Sequence, residues 1–439
     1  MKLRTLIFWP HLVAGVSAGV VILLMCVTGA LLTYERQLIA WSDSHFRSVP
    51  PSPGAARLPM ETLLERVQSA HPDLELTAVT VRSAPDAPVV IAVPRRTLHA
   101  DAYTGVVLGE GTQTVRRLMS SLRAWHRWIG VEGNAQARAV PKAITGWSNV
   151  IFLFIVMSGF YLWFPRKWAW NQVRAVVLFN PRAHGKARDF NWHNVIGSWS
   201  AALLFIVVIS AVPISFSWGN ALVYRLVGEE VPRPAAAAGR QGGPAGRAGG
   251  PGARAGGAGR VGGPAAAAPA ATQATENAEE PGNGERGGRN RDEAPVRDNS
   301  GLNDLMARAE RHVPGWRSIN MRVPTSTTGS VVFAIDRGDG GQPQLRSTLT
   351  LDRSSGEVVK YEAFSDLTLG RQIRNVMRFA HTGEVLGIPG QTVAGLVTAG
   401  GAVLVWTGIA LALRRLIAWR RRRTARPDVV PARANETAA

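Results

Sequence analysis

"FWPHLVAGVSAGVVILLMCVTGALLTYE", Phe8–Glu35, places a histidine at the mouth of an apolar run, Leu12–Leu32, that holds no charged residue. A run of about 20 such residues is what the roughly 30 Å hydrocarbon core of a bilayer demands of a helix. The opening recurs as "FNWHNVIG", Phe190–Gly197. Both stretches read Phe-x-x-His-x-x-x-Gly, with His11 and Gly15 in the first copy and His193 and Gly197 in the second. A second motif is also duplicated: "RAWHRWIG", Arg123–Gly130, and "RFAHTGEVLG", Arg378–Gly387, each set an arginine three residues before a histidine. Each precedes a further long apolar run, so the chain reads as two copies of one plan.

Three more segments match the first in length and lack charge: Ala143–Phe164, Val195–Trp218 and Thr392–Leu413. Basic residues cluster at Lys2 and Arg4, at Arg166, Lys167, Arg174, Arg182, Lys186 and Arg188, and from Arg414 to Arg426. Basic loops stay on the cytoplasmic side of a bacterial inner membrane, so these clusters predict a multi-pass protein with both termini inside. The alternative for the first run is a cleaved signal peptide, which its length and its place in the repeat disfavour. The 439 residues carry a net charge of +19, which would suit a nucleic-acid binder. That reading fails on placement, because the excess flanks the apolar runs, while Pro234–Ser300 holds eight Arg against seven Asp or Glu. No nucleic-acid partner is therefore expected. A single Cys26 excludes an intramolecular disulfide and any cysteine-based cluster.

Between the runs of each copy lies a segment with one shared pattern. "METLLERVQSAHPDLELTAVTV" and "LNDLMARAERHVPGWRSINMRV" each read as an amphipathic helix, a turn at Pro and an alternating strand. "PVVIAV" and "SVVFAI" follow as strands, then "DAYTGVVL" and "DRSSGEVV" as strand–turn–strand units with Gly at the turn. The expected organisation is a membrane α-helical bundle of four transmembrane helices with two periplasmic α+β domains. It divides as a first span in 1–35, a first outer domain in 36–130, a second span in 141–165, a cytoplasmic loop in 166–192, a third span in 193–220, a Gly/Ala/Pro-rich linker in 234–300, a second outer domain in 301–387, a fourth span in 391–413 and a basic tail in 414–439. The linker composition cannot bury enough apolar surface to offset its ordering entropy, which predicts disorder there.

With both termini inside, His11 and His193 fall at the inner face, His126 and His381 at the outer face. Two histidines per face, from duplicated positions, form an axial ligand set for the iron of a b-type haem, so two haems are expected. Gly15 and Gly197 stand one helical turn after their histidines and admit a flat macrocycle to the helix backbone. Arg123 and Arg378 share a face with His126 and His381 and are suited to haem propionates. Met119 and Met377 are alternative axial ligands, though periodicity favours core packing for both. His45, His71, His99, His184 and His312 fall in solvated segments and read as surface residues.

The stretches "WHRWIG", "SGFYLWFPR", "FNWHNVIG" and "RFAHTGEVLG", with Phe8–Glu35, resemble the PepSY-associated transmembrane proteins, whose members include iron-regulated inner-membrane proteins and ferric-siderophore reductases. The likeness covers nearly the whole chain outside the linker. It implies two periplasmic PepSY-like domains and a haem-dependent transmembrane oxidoreductase that passes electrons outward, with His11, His126, His193 and His381 as its membrane-boundary ligands. The expected donor is a cytosolic flavin reductase or quinol, and the expected acceptor a periplasmic ferric chelate such as a ferric siderophore. Two other functions stand beside it: a non-enzymatic PepSY regulator or peptidase inhibitor, and a haem or metal permease, the latter disfavoured by spans without charged residues.

Overall fold

The computed structural model describes residues 3–164, 169–232, 298–326 and 328–424. The linker up to residue 297, the basic residues Lys2, Arg166 and Lys167 and the tail from residue 425 lie outside the described residues. Among the described residues four helices are long and apolar enough to cross a membrane: α1 (Leu3–Leu32), α5 (Ala139–Trp163), α7 (Gly185–Ser215) and the last, α11 (Gly387–Thr424). Helices α1 and α7 begin eight residues before their histidines, so His11 and His193 sit two turns inside a helix and not at its start. Helix α11 runs on past Leu413 through its arginines. Arg is a good helix former, and the hydrogen-bond ladder continues beyond the apolar stretch.

The chain folds as two units. The first comprises Met1–Val27, Ser148–Phe205 and Leu396–Ala439 and contains parts of α1, α5, α7 and α11, with the short helix α6 (Trp170–Val177). Its helices approach closely where side chains are small. A Cβ on Gly19 would lie 3.1 Å from Ile409 Cδ1, and one on Gly401 would lie 3.1 Å from Cys26 Sγ. Cys26 is buried among these apolar contacts as a small filler.

The second unit comprises Thr28–Trp147 and Ile206–Gly395 and holds one antiparallel sheet of eight strands in the order β4-β3-β2-β1-β5-β6-β7-β8. These are β1 (Ala78–Arg82), β2 (Val89–Val93), β3 (Arg96–Ala100), β4 (Val107–Glu110), β5 (Ser318–Arg322), β6 (Ser330–Asp336), β7 (Arg346–Asp352) and β8 (Val358–Ala363). The two α+β segments were expected as separate domains; they share this sheet through the β1–β5 pair. Left apart, each half would expose an unpaired edge of N–H and C=O groups at β1 or β5, and joining satisfies both. The register runs Ala78↔Arg322 to Arg82↔Ser318, with Thr80 opposite Asn320 at its centre. Val79 and Met321, opposite one another in this register, are equivalent positions of the repeat, so a pseudo-two-fold axis passes between them, and beside it the Asn320 amide donates to Thr80 Oγ1 at 2.8 Å.

One face of the sheet is covered by the two repeat-related helices α3 (Met60–Ala70) and α9 (Leu302–His312). Leu63, Leu64 and Val67 from α3 and Leu302, Leu305 and Ala309 from α9 form a single core with Ile91, Ile319, Met321, Phe333 and Leu349 of the strands. The helices cap one another across the axis: Glu61 N–H donates to Asn303 Oδ1 (3.0 Å) and Asn303 N–H to Glu61 Oε1 (3.2 Å). Asn303→Ala should cost about 1 kcal/mol, the usual value of a lost N-terminal cap. Faster hydrogen exchange at the Glu61 amide would register it.

Two turns obey the sequence reading closely. Asp101 accepts the N–H groups of Tyr103 and Thr104, and Asp352 those of Ser354 and Ser355, while Gly105 and Gly356 take the left-handed conformation that closes each turn. Met119, on α4 (Gln113–Trp128), is buried, in accord with its core reading.

His99 departs from expectation. Its place on β3 turns it away from solvent, and it is 4% exposed. Phe46 stacks on its ring at 4.5 Å, packed so tightly over Gly109 that a Cβ there would lie 2.7 Å away. Asp43, at the end of α2 (Glu35–Ser42), lies 3.4 Å from His99 Nε2 and accepts Arg116 (2.7 Å) and the Thr112 N–H (2.8 Å). Burial holds the His99 imidazole below its ordinary 6.5, with Asp43 opposing and Arg116 assisting. Asp43 is pushed up by burial, but its bonds to Arg116 and Thr112 outweigh this and hold it below the usual carboxylate value. The folded state therefore refuses a proton at His99 that the unfolded chain accepts. Its stability should be full above pH 6.5 and decline as pH falls through 6.5, well before Asp43 protonates. Thermal unfolding between pH 7.5 and 5 (about the range in which a histidine titrates) checks this, and His99→Phe should flatten the decline.

Candidate functional site

In the first unit His11 of α1 and His193 of α7 are each seated by a Ser/Thr-Gly pair on another helix. His11 Nδ1 lies 2.8 Å from Ser158 Oγ on α5, and His193 Nδ1 lies 3.0 Å from Thr407 Oγ1 on α11. Each hydroxyl already donates its one hydrogen back along its helix, Ser158 to Phe154 O (2.7 Å) and Thr407 to Val403 O (2.8 Å). With that hydrogen on the carbonyl the hydroxyl oxygen accepts, and each imidazole then donates from Nδ1 and keeps its lone pair on Nε2. The following glycines make room for the rings: a Cβ on Gly159 would lie 3.2 Å from His11 Cε1, and one on Gly408 would lie 3.4 Å from His193 Cε1. The repeated dipeptide is plain in the sequence, but its role in seating the histidines was missed there.

In the second unit α4 carries His126, and α10 (Leu369–Thr382) carries His381. Their ring centroids are 6.3 Å apart with a tilt of 49°. His381 Nδ1 lies 2.8 Å from Val207 O. A carbonyl can only accept, so this imidazole also donates from Nδ1 and carries its lone pair on Nε2. His126 Nδ1 lies 3.0 Å from Thr28 Oγ1. Thr28 and Ser210 stand seventeen residues after His11 and His193, and Ser210 Oγ donates to the same Val207 carbonyl at 2.9 Å. The repeat thus supplies a hydroxyl beside both histidine seats. Burial holds the His381 imidazole below its ordinary value, with the Val207 bond opposing and Arg378 reinforcing, so it stays neutral. A neutral imidazole is the form that binds a metal.

Arg123 is paired with the buried carboxylate of Glu35, and Arg378 lies with its guanidinium 5.8 Å from the Phe379 ring. Arg374, one turn before Arg378 on α10, bonds Asn220 of α8 (Ser217–Leu226). A guanidinium has five N–H donors, so the Glu35 contact leaves Arg123 able to meet a second carboxylate.

Two imidazoles on opposite sides of one metal, each with a metal–nitrogen bond of about 2 Å, set their ring centroids roughly 6 Å apart. The His126–His381 separation has this value. Among the described residues no group of three or more His, Cys, Asp or Glu could hold a metal ion. A histidine pair suits instead a metal that brings its remaining ligands with it, as a macrocycle does. Gly15 fits such a group, because a Cβ there would meet no atom within 4 Å, and at Gly197 the nearest, Leu404 Cδ2, would be 3.7 Å away. The Nδ1 bonds are the outer contacts that orient a ligating imidazole and raise its basicity.

Duplicated apolar helices, a sheet shared by two α+β halves and histidines seated in pairs define a multi-pass membrane protein built by tandem repetition. The family model described as the PepSY-associated TM region matches residues 8–415, and the chain belongs to that family. No curated protein matches it.

Proposed function

We propose that the protein is a b-type haem carrier of the bacterial inner membrane that moves electrons from a cytoplasmic or quinol donor to a periplasmic acceptor, a ferric chelate such as a ferric siderophore. The observation that carries this reading is the His126–His381 pair, spaced for one six-coordinate iron and hydrogen-bonded at both Nδ1 atoms. A haem bound by each pair would supply a one-electron iron couple.

The chain's own residues do the rest. Ser158 and Thr407 fix the His11 and His193 tautomers, Val207 fixes that of His381, and Thr28 holds His126. Arg123 and Arg378 stand one turn before His126 and His381, where a propionate would meet them. The basic clusters support a topology with both termini in the cytoplasm and the sheet in the periplasm. Reduction weakens the hold of hard oxygen ligands on iron, so delivery of an electron to a ferric chelate would release its metal.

Purified from haem-replete cells, the protein should be red, with the sharp reduced-minus-oxidised bands of low-spin, six-coordinate haem that is extractable by acid acetone. A colourless preparation would sink the proposal.

A further inference from the structure

The seam between α7 and α11 opens into a cavity of about 300 Å³ that no part of the proposed haem seat on α1 or α5 lines. Its walls are two indoles, Trp192 and Trp406, both substantially exposed along the apolar helices, and its floor is Ala402 and Val403. Thr407, whose hydroxyl accepts His193 Nδ1, closes one side. At one end stands Asp189, 5% exposed, with Arg188 beside it. Arg188 donates to Asp189 Oδ1 from Nε (3.2 Å) and Nη2 (3.0 Å), and Arg414 Nη2 lies 3.0 Å from Oδ2.

We infer that this cavity binds the head group of a membrane quinol, the electron donor to the His11/His193 site; the inference rests on the haem reading for that last step. Three properties select this occupant. A flat aromatic ring packs between indoles. An ionised carboxylate offers about four lone-pair sites and only accepts, and the three guanidinium bonds leave one such site on Asp189, so the matching group is a hydroxyl donor. The remaining N–H groups of Arg188 and Arg414 would also donate to a phospholipid phosphate, so the test sets phosphatidylglycerol against the quinol. Volume agrees, since a single ring with small substituents fits within the cavity and its tail can leave along the apolar seam.

Oxidation of the quinol to the quinone releases two electrons and two protons. With haem held at His11 and His193, the electrons would leave one at a time by way of the Thr407–His193 contact, each taken up by its one-electron iron couple. The protons leave to water at the Asp189–Arg188–Arg414 end.

The test uses the full chain in phosphatidylcholine nanodiscs, with haem content read first from the dithionite-reduced spectrum. A photoreactive azidoquinone should label peptides from α7 near Trp192 and α11 near Trp406, and decylubiquinol should compete. Decylubiquinol should also reduce the haem. Ala402→Phe, which fills the floor, should abolish labelling, and Trp406→Ala should weaken labelling and quinol reduction by about tenfold, the scale of one lost aromatic contact. Dithionite-reducible haem should be unchanged in both variants. Labelling elsewhere, full quinol reduction in Ala402→Phe, or competition by added phosphatidylglycerol in place of decylubiquinol would each overturn the inference. A haem-free preparation that still labels at the groove would instead overturn the electron-transfer reading and leave the quinone site standing.

Discussion

His126→Ala and His381→Ala should remove the same low-spin component of the visible spectrum, and either alone should remove it in full. If the two rings, 6.3 Å apart, share one haem iron as proposed, losing either ligand would leave that iron five-coordinate or unbound. If two haems contribute comparably, each variant should keep about half of the low-spin signal, from the His11/His193 site. The double variant should match the singles, because the two ligands act as one unit. His11→Ala and His193→Ala should delete the complementary half. Difference spectra of the four variants settle the pairing: if His11→Ala and His126→Ala deleted one common component, the histidines would be paired across the repeat differently from the arrangement of their hydrogen bonds.

The nearness of His126 to His381 was legible in the sequence, because it rests on signals that repeat. Spans announce themselves by length and lack of charge, and the strands β1, β2, β5 and β6 by alternation, since each is a property of neighbouring residues. The joining of β1 to β5 was not legible. It depends on two edges far apart in sequence finding each other, and each half alone reads as a complete small domain. The seats of the histidines were not legible: Ser158-Gly159 and Thr407-Gly408 occupy matching places in the two halves, but only the approach of other helices shows what the hydroxyls accept. His99 misled because β3 is short and polar at its start, whereas its burial comes from Phe46 and Asp43 more than fifty residues earlier. Glu35 as partner of Arg123 was hidden for the same reason.

Glycine substitutions separate crowding of a ligand from crowding of the protein, and their effects on the His11/His193 site should be large. Gly159→Val sets a Cβ 3.2 Å from His11 Cε1 and adds two methyl groups beyond it, so the ring must swing away from its seat. Because Cε1 joins Nδ1 to Nε2, the swing breaks the Ser158 bond and misdirects Nε2 together, and the site should lose its haem. Ser158→Ala removes only the bond and should weaken haem affinity by about ten- to a hundredfold, the usual cost of an outer contact to a ligating histidine. Gly15→Leu is the sharper case. A Cβ at Gly15 meets no protein atom within 4 Å, and in a helix interior a leucine is better by roughly 0.5–1 kcal/mol than a glycine, so the chain should fold and insert as before. If a macrocycle lies against α1 one turn after His11, the leucine occupies its space and the same half of the low-spin signal should vanish from a protein of normal yield and normal thermal stability in its sheet. Full haem content in Gly15→Leu would show that the space beside Gly15 belongs to lipid, and the macrocycle would then have to approach His11 from another face of α1.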